Sequence, residues 1–399
     1  MLDVARGTDV VVIGAGIVGA ACAYAASRAG LRVAVLDRGP VIGGTTGAGE
    51  GNILVSDKGP GPELDLAMLS SALWRQFGDE HGDTVEYEPK GGLVVAADEA
   101  GLEALCRFAD TQRADGVRAE VVAPDDLAEL EPHLAPGLAG GVWYPQDAQV
   151  QPMLAAAVLL RLARAHGAVV HPDTPAIALR RGRDGRVTGV DTPGGPIPAA
   201  AVVNAAGVRA GHVAELAGVT VPVLPRRGCI LVTQPLPAII RHKVYGAGYT
   251  TDVMSDSADL QTSPVVEGTR AGTVLIGASR ERVGFDRVLP VRVLARLAAQ
   301  AIDLFPVLAD VSVIRAYLGF RPYLPDHLPA LGADPRVPGL LHACGHEGAG
   351  IGLALATGHL IGQVLAGTEP ALDLHPFRPD RFGDPADAPR PGALTEEAT

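Results

Sequence analysis

Apolar residues near the start of the chain form a short continuous run that is followed at once by glycines. Asp9–Ile13 predicts a buried strand, and the alanine-rich segment after Gly19 predicts a helix that ends near Gly30. A second apolar run, Leu31–Leu36, predicts another strand, which ends at Asp37. A strand, a helix and a second strand in this order predict a βαβ unit that opens at residue 9.

Similar patterns continue along the chain. Periodic apolar positions predict helices near 98–115 and over 153–166, 291–305 and 353–365. Short apolar runs predict strands over 168–170, 176–180, 187–191, 197–201 and 311–319, with further strands between 219 and 277. The run 202–207 predicts a buried parallel strand with a glycine turn at its carboxyl end, and the segment 84–97 is predicted as a hairpin around Gly91 and Gly92.

These elements predict an α/β fold in which a Rossmann-like nucleotide-binding domain carries an inserted domain with an antiparallel sheet. The nucleotide-binding domain is predicted to be discontinuous, over residues 1–83, 140–215 and 325–382. The inserted substrate domain takes residues 84–139 and 216–324. Residues 383–399 are rich in Pro, Ala, Asp and Glu, which predicts a flexible tail.

Composition narrows the classes of function. The chain has 399 residues, of which 47% are hydrophobic and 20% charged, so it can bury a large core. Its 33 Lys and Arg residues stand against 45 Asp and Glu, a formal charge of −12. This balance argues against broad binding to nucleic acid or anionic lipid.

The four cysteines are far apart in sequence and form no CxxC pair: Cys22, Cys106, Cys229 and Cys344. This spacing predicts no metal or iron–sulfur site and favours a reducing cytoplasm. Residues 10–27 and 348–368 contain no Asp, Glu, Lys or Arg, but repeated glycines interrupt both stretches. We therefore expect a soluble, cytoplasmic protein without a membrane span.

The glycines after the first strand form a GxGxxG pattern at the start of a predicted helix. Gly14 allows the tight turn, Gly16 allows close approach of a pyrophosphate, and Gly19 allows close helix packing. Asp37, at the end of the second strand, can accept hydrogen bonds from a ribose diol. The pattern predicts a dinucleotide site, and NAD and FAD both fit it. The alternative is a glycine-rich turn with a solvent-facing aspartate.

Two further glycine-rich segments carry possible cofactor contacts. The loop from Gly43 to Asn52 follows the second strand directly, and its Thr45 and Thr46 could donate to phosphate or sugar oxygens. The other segment, Gly345–Gly352, opens an apolar helix whose N-terminus would favour the negative charge that a flavin gains on reduction. A surface linker and simple close helix packing are the respective alternatives.

Five motifs occur in the order found in the D-amino-acid oxidase and glycine oxidase family, which the chain resembles over nearly its whole length. The motifs are the GxGxxG pattern, the Thr45–Thr46 loop, Asn204–Gly207, Gly319–Pro322 with Asp326 and Pro329, and Gly345–Gly352. Within that family it most resembles the flavin subunits of hydrogen cyanide synthase, opine oxidase and hydroxyproline dehydrogenase, through Gly51–Ile53 and Gly345–Gly348.

The resemblance implies extended, noncovalent FAD, since the cysteine motif of covalent flavin attachment is not recognisable. At the adenosine and pyrophosphate end it implies contacts from Gly14, Gly16, Ile17, Gly19, Asp37, Arg38, Thr45, Thr46, Ala176, Ala206 and Gly207. At the ring it implies contacts from Gly49, Gly51, Asn52, His346, Glu347, Gly348, Ala349, Gly350 and Ile351. Glu50 and Asn52 depart from the small or apolar residues of many members, which predicts a different polarity above the flavin.

The resemblance also implies that Arg321 of Gly319–Pro322 binds the substrate carboxylate. Tyr249 is the first candidate for an assisting hydroxyl, Tyr245 the second and Tyr323 the third. A structural alternative is that Arg321 pairs with an acid such as Asp326.

The implied activity is FAD-dependent oxidation of the C–N bond of a small amino acid or N-substituted amino acid, giving an imine. The electron acceptor is left open between oxygen and partner subunits that receive the electrons. In the second case the chain would be a flavin subunit that is inactive alone. Its oligomeric state and the identity of the substrate are also left open.

Overall fold

The N-terminal βαβ unit lies at the centre of a six-stranded sheet. A computed structural model describes residues 7–249 and 255–383. Within these ranges the helices are α1 (Ile17–Arg28), α2 (Pro62–Val85), α3 (Glu99–Ala114), α4 (Leu127–Leu130), α5 (Pro152–Ala165), α6 (Ala210–Leu216), α7 (Val291–Leu304) and α8 (Gly350–Ala366). The strands are β1 (Val10–Ile13), β2 (Val33–Leu36), β3 (Asn52–Ile53), β4 (Gly92–Ala96), β5 (Glu120–Val122), β6 (Gly140–Tyr144), β7 (Ala148–Gln149), β8 (Val169–His171), β9 (Ala178–Arg181), β10 (Val187–Thr192), β11 (Gly195–Pro198), β12 (Ala201–Asn204), β13 (Leu224–Thr233), β14 (Lys243–Gly246), β15 (Gln261–Gly268), β16 (Val274–Arg280), β17 (Val313–Tyr323), β18 (Ala330–Ala333) and β19 (Leu340–Cys344).

A six-stranded sheet has the order β18-β19-β12-β1-β2-β8 and is parallel except at its β18 edge. The chain runs from β1 outward through β2 to β8 and then returns to β12 on the other side of β1. In such a sheet, ligands bind at the carboxyl ends of the strands where the order reverses. The predicted Rossmann-like domain is confirmed, and its sheet places that position between β1 and β12.

The second large sheet contains eight strands in the order β17-β13-β16-β15-β14-β4-β6-β5. All its pairs are antiparallel except β14 with β4. One face packs against α7, where Val293, Leu297 and Leu304 are buried in a core shared with β13 and β16. The predicted antiparallel sheet beside the nucleotide-binding domain is therefore confirmed.

Glycines let α8 lie directly on α1. A Cβ added at Gly358 would lie 2.6 Å from the carbonyl carbon and oxygen of Ala21, and one at Gly362 would lie 2.8 Å from the Cβ of Ala25. The span Glu347–Ala366 is apolar and long enough to cross a bilayer by composition, yet 56% of its most apolar window is buried among the other elements. It packs on α1 and α2 as a core helix.

Three features differ from the sequence predictions. The segment 84–97 is not a hairpin, because α2 continues to Val85 and β4 pairs instead with the distant β6 and β14. The strand β6 was assigned to the nucleotide-binding domain by the boundary at residue 140, yet it lies in the eight-stranded sheet. Of the predicted tail, only Gly383 falls within the described residues.

Replacing Gly358 with Ala should lower the free energy of unfolding. Alanine gains about 1 kcal/mol of helix propensity over glycine, but forcing a methyl group against the backbone of Ala21 costs about 1–3 kcal/mol once α8 has to shift. Thermal unfolding followed by circular dichroism measures the difference. Gly59→Ala is the control, since its Cβ would make only an ordinary 3.7 Å contact with Phe108. A Gly358→Ala melting temperature equal to or above that of the control would contradict this account.

Candidate active site

A cleft of about 480 Å³ opens at the carboxyl ends of β1 and β12, where the strand order reverses. Gly14 begins the turn after β1 with a φ of +110°, a conformation that favours glycine. A side chain there would collide with the carbonyl oxygen of Ala205 at 2.3 Å. The first glycine of the motif is thus required by both backbone conformation and space.

The N-terminus of α1 faces the cleft. Gly16, its N-cap, offers no side-chain acceptor, and the amide of Ile17 donates to the hydroxyl of Thr46 at 3.0 Å. Gly19 is not among the residues that line the cleft. It packs against the turn instead, since a Cβ there would be only 1.9 Å from the carbonyl oxygen of Gly14. It lets the helix approach the turn, as predicted, and thereby directs free amides and the helix dipole into the cleft.

Asp37 stands at the far end of the cleft, next to Arg38. Its Oδ2 accepts a hydrogen bond from the amide of Ala15 at 2.8 Å, and its Oδ1 accepts one from the amide of Gly39 at 3.1 Å. A carboxylate has about four acceptor positions, so these two bonds leave capacity for a ligand diol. The two backbone bonds fix the carboxylate beside the glycine turn.

The two threonine hydroxyls have different tasks. Thr45 donates its hydroxyl proton to the carbonyl oxygen of Phe320 at 2.7 Å, so that proton is not available to a phosphate. Thr46 accepts from Ile17 and keeps its own proton. The expected donation to the cofactor stays a prediction for Thr46, while Thr45 donates to β17 instead.

The N-terminus of α8 faces the same cleft. Its N-cap, Ala349, provides no side-chain hydrogen bond, so the first amides of the helix have no cap. His346 lines the cleft beside it and contacts the hydroxyl of Thr357 at 3.0 Å. Burial lowers the pKa of His346 to about 3, so the imidazole is neutral at physiological pH.

Glu347 is buried in a strained backbone position with a φ of +47°. Its carboxylate accepts from Arg226 Nη1 at 2.5 Å and contacts His327 Nδ1 at 3.2 Å. Burial alone would raise the pKa of Glu347, but the bond from His327 and the charges of Arg226 and Arg280 lower it to about 2. Glu347 is therefore a fixed negative charge at the edge of the cleft.

Arg321 extends from β17 into the other end of the cleft. Its Nη1 donates to the carbonyl oxygen of Ser279 at 2.7 Å. Glycines make room for it: a Cβ at Gly228 would lie 2.2 Å from that nitrogen, and one at Gly348 would lie 3.5 Å from Nε. Burial and the nearby charge of Arg280 lower the pKa of Arg321. The pairing of Arg321 with Asp326 is not found, because Asp326 accepts from Arg381 at 2.6 Å.

One of the three candidate tyrosines, Tyr249, lines the cleft. Tyr245 is fully buried outside the cleft lining, and its hydroxyl donates to Ser56 at 2.5 Å. Tyr323 also lies outside the lining and donates to Asp256 at 3.1 Å. The prediction of Tyr245 as a substrate ligand is therefore wrong: its strand carries it beneath Tyr249, with the two ring centroids 4.9 Å apart.

A buried polar network lies under the loop that was predicted to approach the flavin ring. Lys243 Nζ donates to Glu267 at 3.1 Å and to the side chain of Asn52, whose amide donates to Glu50 at 3.1 Å. Burial alone would lower the pKa of Lys243, but the charges of Glu267 and Glu50 raise it. Burial raises the pKa of Glu50, which lines the cleft. The polarity expected from Glu50 and Asn52 is thus present.

The cleft brings most of the predicted site residues together. Its lining includes Gly14, Gly16, Ile17, Asp37, Arg38, Thr45, Thr46, Gly49, Asn52, Ala206, Gly207, Tyr249, Arg321, His346, Glu347, Gly348, Gly350 and Ile351. Gly19, Gly51, Ala176, Ala349 and Tyr245 lie outside it. Gly51 turns its Cα toward the backbone of Val150, where a Cβ would come within 1.7 Å of the carbonyl oxygen.

Sequence reasoning missed several lining residues that come from distant segments. Arg209 stacks on the ring of Phe285, with its Cζ 4.1 Å from the ring centroid, and both residues line the cleft. Arg287 lines the same wall. No motif marks these three residues, and only the approach of the two domains brings them to the cleft.

The residues present fit a bound dinucleotide. The N-termini of α1 and α8, whose N-cap residues make no side-chain hydrogen bond, face the same cleft and direct their helix dipoles toward anionic groups. The carboxylate of Asp37 lies at the glycine-turn end, and the partly buried guanidinium of Arg321 lies at the other. Within residues 7–249 and 255–383, no cluster of three or more His, Cys, Asp and Glu side chains is placed to hold a metal ion.

Comparisons with known proteins agree with this geometry. The sequence profile of a family described as FAD dependent oxidoreductase (DAO) matches residues 9–364. The chain is 30% identical to hydrogen cyanide synthase subunit HcnC of Pseudomonas aeruginosa, over 98% of this chain and 99% of that protein. Its fold matches the crystal structure of glycine oxidase from Geobacillus kaustophilus with a TM-score of 0.85 and 27% identity, covering 94% and 99% of the two chains. It matches iminodiacetate oxidase from Chelativorans sp. BNC1 with a TM-score of 0.81 and 26% identity, covering 93% and 98%. The cofactor of the cleft is thus FAD.

Replacing Asp37 with Ala should weaken FAD binding, because the adenosine ribose loses an ionised acceptor and Ala15 loses its partner. Charge-assisted bonds contribute about 1.5–3 kcal/mol, or about 10–150-fold in the dissociation constant. Fluorescence titration of the apoprotein with FAD measures this constant. The control is Asp184→Ala, whose carboxylate accepts only from Arg186 in an exposed turn. Equal FAD affinity in the two variants would remove the ribose assignment.

The stability of the protein should fall as pH rises above about 6.5, through titration of His327. The bond to Glu347 and the contact with Asp256 raise the pKa of His327 in the folded state. Its contribution is therefore complete below the unfolded pKa and is lost as pH rises through the higher folded value. Melting temperatures measured across this range should show the loss in the unmodified protein and in exposed-site control His212→Gln, but not in His327→Gln. Parallel curves for all three proteins would show that His327 makes no such contribution.

Proposed function

The chain belongs to the FAD dependent oxidoreductase (DAO) family, and we propose that it oxidises the C–N bond of a small amino acid or N-substituted amino acid to an imine. The observation that carries the proposal is the partly buried guanidinium of Arg321, which lines the FAD cleft with no carboxylate within ion-pair distance among the described residues. The names of two similar proteins add support, since glycine oxidase and iminodiacetate oxidase act on small amino acids.

Arg321 binds the substrate carboxylate. One of its terminal nitrogens is held by Ser279, which fixes the plane of the guanidinium, and its remaining donors suit the two oxygens of a carboxylate. The hydroxyl of Tyr249, on the same wall of the cleft, is the assisting donor. Tyr249 is buried and Arg321 partly buried, and this reduced contact with water strengthens the charge pair.

The protein's contribution to catalysis is positioning and electrostatics. Bound FAD supplies the acceptor for the substrate Cα hydrogen and its electron pair, while the neutral amine nitrogen gives the lone pair that forms the C=N bond. Arg321 holds the carboxylate so that the Cα faces the cofactor. The N-terminus of α8 lines the cleft and would stabilise the negative charge that a bound flavin ring gains on reduction. The imine product then hydrolyses in water to an oxo acid and an amine.

A second candidate function is that of a flavin subunit that passes its electrons to a partner chain and is inactive with oxygen alone. The similarity to HcnC over nearly the full length of both chains favours it, because that protein is named as a subunit. Two measurements on the purified holoprotein separate the candidates. Release of peroxide in air supports an oxidase, whereas substrate-dependent reduction of an artificial dye without peroxide supports the subunit.

Both candidate functions include reduction of the flavin by an amine, and this step is tested without oxygen and without a partner chain. The holoprotein is mixed anaerobically with each member of a panel of amino acids and N-substituted amino acids. The flavin absorbance at about 450 nm is then followed. Bleaching by at least one amine, with an oxo acid as product, is the expected result. A panel in which amines leave the flavin oxidised while hydroxy acids reduce it would overturn the proposal.

Replacing Arg321 with Met should lower kcat/KM by about 100-fold or more without emptying the flavin site, since a desolvated charge pair contributes about 2–5 kcal/mol. Steady-state dye reduction measures the rate, and absorbance measures the flavin content. Arg315→Met is the control, because Arg315 lies on the same strand but is exposed and stacks on Tyr317. A loss of stability with undiminished binding of carboxylate inhibitors would assign Arg321 a structural role instead.

A further inference from the structure

A second guanidinium lies buried next to Tyr249, beside the Arg321 end of the cleft and outside its lining. Arg280, the last residue of β16, is 3% exposed. Its Cζ lies 4.5 Å from the ring centroid of Tyr249, which lines the cleft, and its charge acts on both Arg321 and Glu347. The GxGxxG loop, the α8 N-terminus and the carboxylate site described above make no use of this residue.

The strand register places Arg280 on the same face of the sheet as Arg321. Arg280 is opposite Gln261 in the β15–β16 pair, and the side chains of directly opposite residues share a face. The side-chain oxygen of Gln261 accepts from Arg226 Nη2 at 2.8 Å. Arg226 is in turn opposite Arg321 in the β13–β17 pair. The cross-strand pairs therefore bring three arginines to one surface.

Of the positive charges near this end of the cleft, Lys243 and Arg226 each have a carboxylate partner. Glu267 accepts from Lys243 at 3.1 Å, and Glu347 accepts from Arg226 at 2.5 Å. In the part of the chain that the structure describes, the side chain of Arg280 has neither a hydrogen-bond acceptor nor a carboxylate within 4.0 Å. Arg321 has the carbonyl oxygen of Ser279 and no carboxylate. Burial raises the pKa of Glu50, the remaining carboxyl group of the cleft, which favours its neutral form.

Stacking on Tyr249 does not account for the burial of Arg280. A cation–π contact is a weak interaction, whereas an unpaired buried charge carries a large desolvation penalty. A second positive charge nearby increases that penalty, and the lowered pKa of Arg321 reflects it. Two neighbouring guanidiniums without counterions are the arrangement expected of a site whose ligand brings two negative charges.

We propose that Arg280 binds a second carboxylate of the substrate, so that the enzyme acts on an amino acid with two carboxylates, one on Arg321 and one on Arg280. The amine then lies between the two anchors, as in an N-(carboxyalkyl) amino acid or an acidic amino acid. This inference rests on the proposed function for the reaction, but the binding of two carboxylates can be measured without turnover.

The binding test compares two unreactive ethers on the FAD-loaded enzyme. Diglycolate carries two carboxylates and methoxyacetate carries one, and each has an oxygen where an amine substrate has nitrogen. Titration followed through the flavin spectrum and by calorimetry should give a dissociation constant about tenfold or more lower for diglycolate. Equal affinities in the unmodified enzyme would overturn the proposal without need of any variant.

Variants assign the difference to Arg280. Arg280→Met should weaken diglycolate binding about tenfold or more and change methoxyacetate binding by about twofold or less, and Arg280→Lys should recover part of the loss. Arg282→Met is the matched control, because Arg282 also stacks on a tyrosine, Tyr323, but donates to the carbonyl oxygen of Asp256. Equal weakening of both ligands in Arg280→Met would assign Arg280 to packing and sink the proposal.

A turnover test separates this inference from the proposed reaction. Iminodiacetate and sarcosine differ only in a carboxylate on one N-substituent, and both are mixed with the enzyme without oxygen. Faster flavin reduction by iminodiacetate, lost in Arg280→Met, supports both statements. Failure of every amine with retained diglycolate selectivity would overturn the reaction and leave the binding inference standing. Equal rates of flavin reduction by the two amines, in the unmodified enzyme and in Arg280→Met alike, would support the reaction and overturn the binding inference.

Discussion

The close contact between α1 and α8 is the constraint on which the site depends. Gly358 and Gly362 allow one helix backbone to lie on the other, and Gly19 allows α1 to approach the turn after β1. Because the helices are held this closely, their uncapped N-termini open into the same cleft. Larger side chains at these positions would separate the helices, and the two sets of amide donors would no longer face a single elongated ligand.

Electrostatics divides the cleft into two chemically different ends. Near β1 the cleft presents backbone amides, Thr46 and the carboxylate of Asp37, which suit phosphate and ribose. At the β17 end it presents Arg321, with Arg226 and Arg280 nearby, and of these three Arg226 is the one that pairs with Glu347. The cofactor end is thus built mainly from backbone and small residues, whereas the substrate end is built from long side chains on a rigid sheet.

The sequence predicted the parts of this structure that depend on local patterns. The βαβ unit, the GxGxxG turn and α5 were found because apolar periodicity and glycine chemistry act over a few residues. The helix α2 was not predicted, and Gly91 and Gly92 were taken for a hairpin turn, because the partners of β4 lie about 50 and 150 residues away in sequence. For the same reason Tyr245 was predicted to lie in the cleft, although it does not line it, and Arg280 was not considered. The face that each presents is set by strand register, which no motif in the chain records.

The hydroxyl of Thr45 joins the cofactor loop to the strand that carries Arg321, through the carbonyl oxygen of Phe320 next to it. A single hydrogen bond thus belongs to both binding regions of the cleft. This bond is a direct structural connection between the loop at the glycine-turn end and the strand at the Arg321 end. Coupling between two sites is reciprocal, so any factor by which bound FAD changes the affinity for a ligand at the Arg321 end is also the factor by which that ligand changes the affinity for FAD.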